Sequence, residues 1–133
     1  MGVFVILLDS HVLIWAVADS KRLSKAAASA IRRARRGDGL AVSAITAYEV
    51  AWQIALGRIK GYGPLETSVL RFLEGVTMRP ITPEIAALAA QFPADYPRDL
   101  ADRIIGATAR AEGLTLITRD EKIRRSPLIK TVW

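Results

Sequence analysis

Four carboxylates stand where a metal centre would use them: Asp9 closing VFVILLD, Glu49 inside SAITAYEVAWQIAL, Asp102 in RDLADR and Asp120 in LTLITRDE. A fifth, Asp99, lies three residues before Asp102. Asp9 and Asp120 come after short apolar runs that read as buried strands, and Glu49 and Asp102 sit on segments that read as helices. A parallel sheet brings residues so placed to the edge formed by the carboxyl ends of its strands, where open α/β sheets bind ligands. Carboxylates gathered there repel one another and do not all stay ionised without a cation between them. Oxygen-only ligation favours Mg²⁺ or Mn²⁺ over zinc. The chemistry this suggests is metal-assisted hydrolysis of a phosphodiester.

Each acid also has a plain structural reading. Asp99 and Asp102 form D-x-x-D at a helix start, which reads as a capping box with Asp99 as N-cap and Asp102 reaching back. The same spacing puts both carboxylates on one side of the first turn, at the positive end of the helix dipole, so the two readings are compatible. Asp9 reads as an N-cap between strand and helix, and Asp120 as a turn residue. Glu49 differs, because a carboxylate within an otherwise apolar helix is costly unless an arginine or a metal meets it.

The elements that must position these residues follow from patterning. Residues 3–8 form an apolar run without alternation, as for a strand covered on both faces. Helices are expected from residue 10 through HVLIWAVA, over 24–36, and over 44–56, where Thr46, Glu49 and Gln53 make a polar stripe on an apolar cylinder. Further helices are expected over 65–74, over 83–91 with Pro83 in the first turn, and over 100–112 with Gly113 ending it. Strands are expected over 40–43, 77–81, 114–118 and 129–132. Strands alternating with helices argue one three-layer α/β/α domain over residues 1–133, with a short, mainly parallel central sheet.

Composition narrows the chemistry. The absence of cysteine removes disulfides, thiolate zinc sites and a thiol nucleophile, and a single histidine, His11, rules out centres needing several imidazoles. His11 itself reads as a partly exposed first-turn residue. Lys and Arg number 19 against 13 Asp and Glu, a net charge of +6 that suits a polyanionic partner. The run Arg32, Arg33, Ala34, Arg35, Arg36 is either a solvated helix end or a phosphate-binding patch, and Trp15 and Trp52 read as core or interface residues. The apolar run before Asp9 is far short of the ~20 residues a membrane span needs, and a cytoplasmic, membrane-free protein is expected.

LLDSHVLIWA, VSAITAYEVAWQIALGRI and RDLADRIIGATARAEGLTLITRDE, in this order, closely resemble the PIN-domain ribonucleases, in particular VapC-type toxins of bacterial toxin-antitoxin pairs. The likeness covers nearly the whole chain. It implies that Asp9, Glu49, Asp102 and Asp120 are the core acidic set, with Asp99 an additional acid, and that they bind Mg²⁺ or Mn²⁺ and activate water against an RNA phosphodiester. Ser10, Ser43 and Thr118 match hydroxyl positions that support such a site, and Arg32, Arg33, Arg35, Arg36 and Arg119 are candidates for RNA contact. The resemblance further implies a homodimer and a cognate antitoxin lying in a hydrophobic groove, for which Trp15 and Trp52 are candidates. Pro97, Leu100 and Ala101 depart from the family pattern around Asp99.

Two other readings stand beside this one. A receiver-type signalling domain has this length and architecture, but it needs an acidic pair after the first strand and a lysine after a late one. Ser10 and His11 follow Asp9, and Arg119 follows Thr118. A catalytically silent RNA-binding or scaffold version of the PIN fold would be marked by loss of an acid, and none is missing.

Overall fold

The computed structural model describes residues 5–133. Five strands, β1 (Ile6–Leu8), β2 (Leu40–Ser43), β3 (Val76–Arg79), β4 (Thr115–Ile117) and β5 (Thr131–Val132), form a sheet in the order β3-β2-β1-β4-β5. All four pairings are parallel, so the sheet is wholly rather than mainly so. β1 runs down the middle, with Leu7 in register with Ala41 on one side and Leu116 on the other. The expected first two residues of this strand, 3 and 4, lie outside the described residues.

The helices are α1 (Ser10–Ala18), α2 (Lys25–Arg36), α3 (Ala44–Ala55), α4 (Leu65–Phe72), α5 (Pro83–Ala90), α6 (Leu100–Glu112) and α7 (Glu121–Arg125), with a single 3₁₀ turn at Ser20–Arg22. The pleat sorts the strand side chains between two cores. Ile6, Leu8, Leu40, Val42 and Ile117 pack with Val12 and Leu13 of α1, Ala27 and Ile31 of α2, Val50 of α3 and Phe72 of α4. Leu7, Ala41 and Leu116 face the other way, onto Ile85 of α5, Ile105 of α6 and Ile123 of α7. Strands buried on both faces need no polar alternation, which is why their sequences have none. Among the described residues no helix is long and apolar enough to cross a membrane.

Several boundaries differ from expectation by one or two residues, β5 for instance starting at Thr131 rather than 129. α4 stops at Phe72, and Gly75, at φ 77°, turns the chain directly into β3, which starts at Val76 and ends at Arg79. α7 was not anticipated. A five-residue helix that buries only Ile123 is too short to show periodicity, and its signals are those of its ends: Asp120 as cap, Glu121 in the first turn, and Lys122, Arg124 and Arg125 in the last. The 3₁₀ turn was likewise unanticipated.

The loop between α5 and α6 matters for the site because it holds the first turns of α6. The Arg103 guanidinium donates to the carbonyl oxygen of Phe92 at 2.8 Å and of Pro93 at 3.1 Å, pinning the loop to the helix. Tyr96, 2% exposed, donates its hydroxyl to the Asp102 carbonyl at 3.3 Å. Its ring lies on Gly106, where an added Cβ would strike the Tyr96 hydroxyl and the Phe92 ring.

Candidate active site

From the central strand the chain crosses to β2 on one side and pairs with β4 on the other, so the topological switch lies at the carboxyl ends of β1 and β4. Asp9 follows β1 there. Its Oδ1 accepts from the Ser10 amide at 2.8 Å, capping α1, and its Oδ2 accepts from the Thr118 hydroxyl at 2.7 Å. The same Thr118 oxygen accepts from the Asp120 amide at 3.1 Å, so one hydroxyl ties the first acid to the last. Asp120 in turn caps α7 through the Ile123 amide.

Asp99 caps α6, its Oδ2 accepting from the Asp102 amide at 3.1 Å. Among the described residues no bond returns from the Asp102 side chain, so only half of the expected capping box forms and the Asp102 carboxylate is left for another use. Asp9, Asp102 and Asp120 line one cavity of about 310 Å³ together with His11, Val12, Trp15 and Arg119. Glu49 reaches the same region from α3. The Ser10 hydroxyl, 2.8 Å from that of Thr46, favours its ionised form, while Asp99 and Asp9 oppose it.

Burial first, and neighbouring charge after it, disfavour the ionised forms of Asp9, Glu49 and Asp102. Burial raises Asp9 above the usual carboxylate range despite its two hydrogen bonds. Burial likewise raises Glu49. Asp102 is pushed up to about 7, by burial first and then by the charges of Asp9, Asp99, Asp120 and Glu49. The ion pairs among the described residues are Arg22 with Asp19 and Arg79 with Glu112, so no arginine neutralises any of the five acids. The arginine partner considered for Glu49 is therefore not what meets it.

A hard divalent cation fits this donor set. No three of these acids, among the described residues, close into a preformed cage. Mg²⁺ does not require one, because it keeps several waters and is held through one or two carboxylates. Carboxylates whose charged forms are disfavoured by burial and by one another, as at Asp9, Glu49 and Asp102, are what such a cation relieves.

The remaining expected residues are placed as follows. Ser10 lies between Asp9 and Thr46, and Ser43 is fully buried as the N-cap of α3, accepting from the Ile45 amide. Arg119 lines the acidic cavity. Arg32, Arg33, Arg35 and Arg36 do not join it. They end α2, and the turn that follows meets the start of β1, where the Ile6 amide donates to the Gly39 carbonyl, at the opposite edge of the sheet. Pro97, Leu100 and Ala101 fall at the entry to α6, where Asp99 still caps the helix. Thr46, His11 and Trp15 are site residues that sequence reasoning did not name as such. Thr46 was legible as Glu49's neighbour on the polar stripe of α3, and His11 and Trp15 share a face of α1 by their spacing of four. Trp52 is half exposed on α3, its ring stacked with Tyr48 at 6.3 Å, and is not a core residue.

The PIN domain family model matches residues 6–127. The chain belongs to the PIN-domain family. Over 130 residues, 96% of this chain and 98% of the relative, this PIN domain is 43% identical to Ribonuclease VapC22 of Mycobacterium tuberculosis. Among solved structures it superposes on a chain of the Rickettsia felis VapBC2 complex bound to a promoter DNA fragment with a TM-score of 0.74, covering 97% and 98% of the two chains at 15% identity. A toxin-antitoxin complex from Klebsiella pneumoniae gives a TM-score of 0.67 at 25% identity, with 96% of each chain covered. The PIN fold puts the ends of β1 and β4, and with them Asp9 and Asp120, side by side.

Proposed function

We propose that this PIN domain is a divalent-metal-dependent endoribonuclease that hydrolyses RNA phosphodiester bonds, and that it is the toxin of a toxin-antitoxin pair. The observation that carries the reading is the cavity where Asp9, Asp102 and Asp120 meet, with Asp9 tied to Thr118 by a hydrogen bond across 109 residues. Identity over nearly the whole chain to a protein named as a ribonuclease supports the activity. The likeness to chains of VapBC and toxin-antitoxin complexes supports a cognate antitoxin as partner. The same reading carries a homodimeric assembly.

Asp9, Glu49, Asp102 and Asp120 would hold Mg²⁺ or Mn²⁺, with Asp99 adding negative charge at the margin. Such an ion supplies positive charge for the scissile phosphate and makes water a competent nucleophile at neutral pH. The chain's own part is positional. Ser10 and Thr118 fix both oxygens of Asp9, and the Thr118 hydroxyl sets the Asp120 backbone relative to it. Arg103 and Tyr96 hold the first turns of α6, and hence Asp102, against the sheet. Apolar packing on both sheet faces keeps this edge rigid, so charge and geometry are preorganised before substrate arrives.

Purified protein stripped with EDTA and assayed on single-stranded RNA, then resupplied with Mg²⁺ or Mn²⁺, tests the reading. Cleavage that returns with the metal and is absent from Asp9→Asn supports it. Cleavage of equal rate in EDTA, or in Asp9→Asn, refutes it.

A further inference from the structure

A site made of carboxylates has to receive a polyanion, and the cavity carries its own counterweight on one wall. Trp15 stands there, part-buried, with the Arg119 guanidinium 5.9 Å and the Arg22 guanidinium 5.6 Å from its ring centroid. Trp133 braces the indole at 5.9 Å and His11 lies 6.0 Å away on the cavity side. The two arginines come from distant parts of the chain, the 3₁₀ turn after α1 and the link between β4 and α7, and converge on one aromatic ring. Among the described residues Arg22 is held otherwise only by Asp19 at 3.5 Å, both side chains more than half exposed, a pairing that a phosphate readily replaces. Both guanidinia lie over the ring, so a base reaches it as they turn to the phosphates beside that base, and bases stack on aromatic rings whatever their sequence.

We propose that Trp15 is the platform on which a nucleobase beside the scissile phosphate stacks, with Arg22 and Arg119 taking the phosphates of that nucleotide and its neighbour. This deepens the ribonuclease reading and rests on it. Because a base must be unstacked to use the platform, the substrate is single-stranded RNA, and the same sequence in a duplex is not cut.

The test is steady-state cleavage of single-stranded oligoribonucleotides in excess Mg²⁺ by the unsubstituted protein, Trp15→Leu and Trp15→Phe. Leucine keeps the apolar contact with Trp133 and removes the π face, whereas phenylalanine keeps both. Trp15→Leu should raise KM by about 5- to 150-fold, the range that one base-aromatic stack provides. Its kcat should stay within about threefold, since uniform binding is what has been removed. Trp15→Phe should recover most of the loss. Equal KM for Trp15→Leu and the unsubstituted protein, or equal weakness of the leucine and phenylalanine variants, overturns the platform and leaves the ribonuclease reading intact. Failure of the unsubstituted protein to cut any single-stranded RNA removes both. Should Trp15→Leu not fold, Arg22→Gln and Arg119→Gln decide the matter by anisotropy of labelled RNA in EDTA. Each should reduce the slope of log Kd against log salt by about 0.7, the value for one lost phosphate contact on a single strand. An unchanged slope in both overturns the proposal.

Discussion

The acids of this site hold two positions at once. Asp9, Asp99 and Asp120 are N-caps of α1, α6 and α7, and the same carboxylates stand at or beside the candidate metal cavity. Substituting the amide separates the roles, because Asn caps a helix nearly as well as Asp but carries no charge. Asp9→Asn, Glu49→Gln, Asp102→Asn and Asp120→Asn should each lower RNA cleavage by about 100-fold or more, as removal of a charge-stabilising group does, with melting temperature held or raised. Asp99→Asn should be milder. Thr118→Val keeps the shape of the side chain but strips Asp9 of its hydroxyl partner. It should destabilise by about 1–3 kcal/mol, the cost of leaving a buried acceptor unsatisfied, measured by urea unfolding. The pH dependence follows from Asp102. Without metal its carboxyl holds a proton up to about 7, against an ordinary 3.8 when unfolded. Between those values the native state binds more protons than the unfolded state, so stability falls as pH rises through the window. Thermal melts in EDTA should show a lower Tm at pH 8 than at pH 5, and Asp102→Asn should shrink the drop; a Tm that rises over that range contradicts the assignment.

At the scale of elements, α6 shows why a helix that sequence reads correctly still conceals its purpose. Its start at the D-x-x-D pair and its stop at Gly113 were legible, since caps and left-handed glycines leave local marks. Its interior Gly106 and the staple from Arg103 were not, because their reasons lie in the loop at residues 92–96, and a partner ten residues away leaves no periodic trace. Gly106→Ala makes the point testable. Alanine is the better helix former by about 1 kcal/mol, yet its Cβ would meet Tyr96 and Phe92. Net destabilisation of about 1–3 kcal/mol, the usual cost of overpacking, is expected in denaturant titrations, together with reduced cleavage as Asp102 shifts. A more stable variant would mean that the loop yields freely. Asp9 and Asp120 were legible from their places after apolar runs, and Glu49 from its place in an apolar helix. The arginine run was legible as basic but not as remote, because a stretch of charge does not say at which edge of a sheet its helix ends.

For the whole molecule, the three-layer order followed from strands without alternation separated by helical periods, and the structure sorts those same residues onto two faces. What composition could not convey is that one edge of the sheet is acidic while the net charge is +6. A cation bound there and not by the unfolded chain should raise the whole stability curve by mass action, about 2.7 kcal/mol at a concentration 100 times Kd. Calorimetry with 5–10 mM Mg²⁺ or Mn²⁺ against EDTA checks this, and coincident melts would argue against a bound ion. The hydrogen bond between Asp9 and Thr118 spans 109 residues of a 133-residue chain. Synthesis proceeds from the amino end, and β1 cannot acquire β4 as its neighbour until that late segment has been made. A nascent chain interrupted anywhere before residue 118 therefore lacks Asp120 and the Thr118 hydroxyl that fixes Asp9, and its other acids have no completed sheet edge to gather on. The order of synthesis thus sets the order of assembly, and the acidic edge is completed only when the last strands have been made.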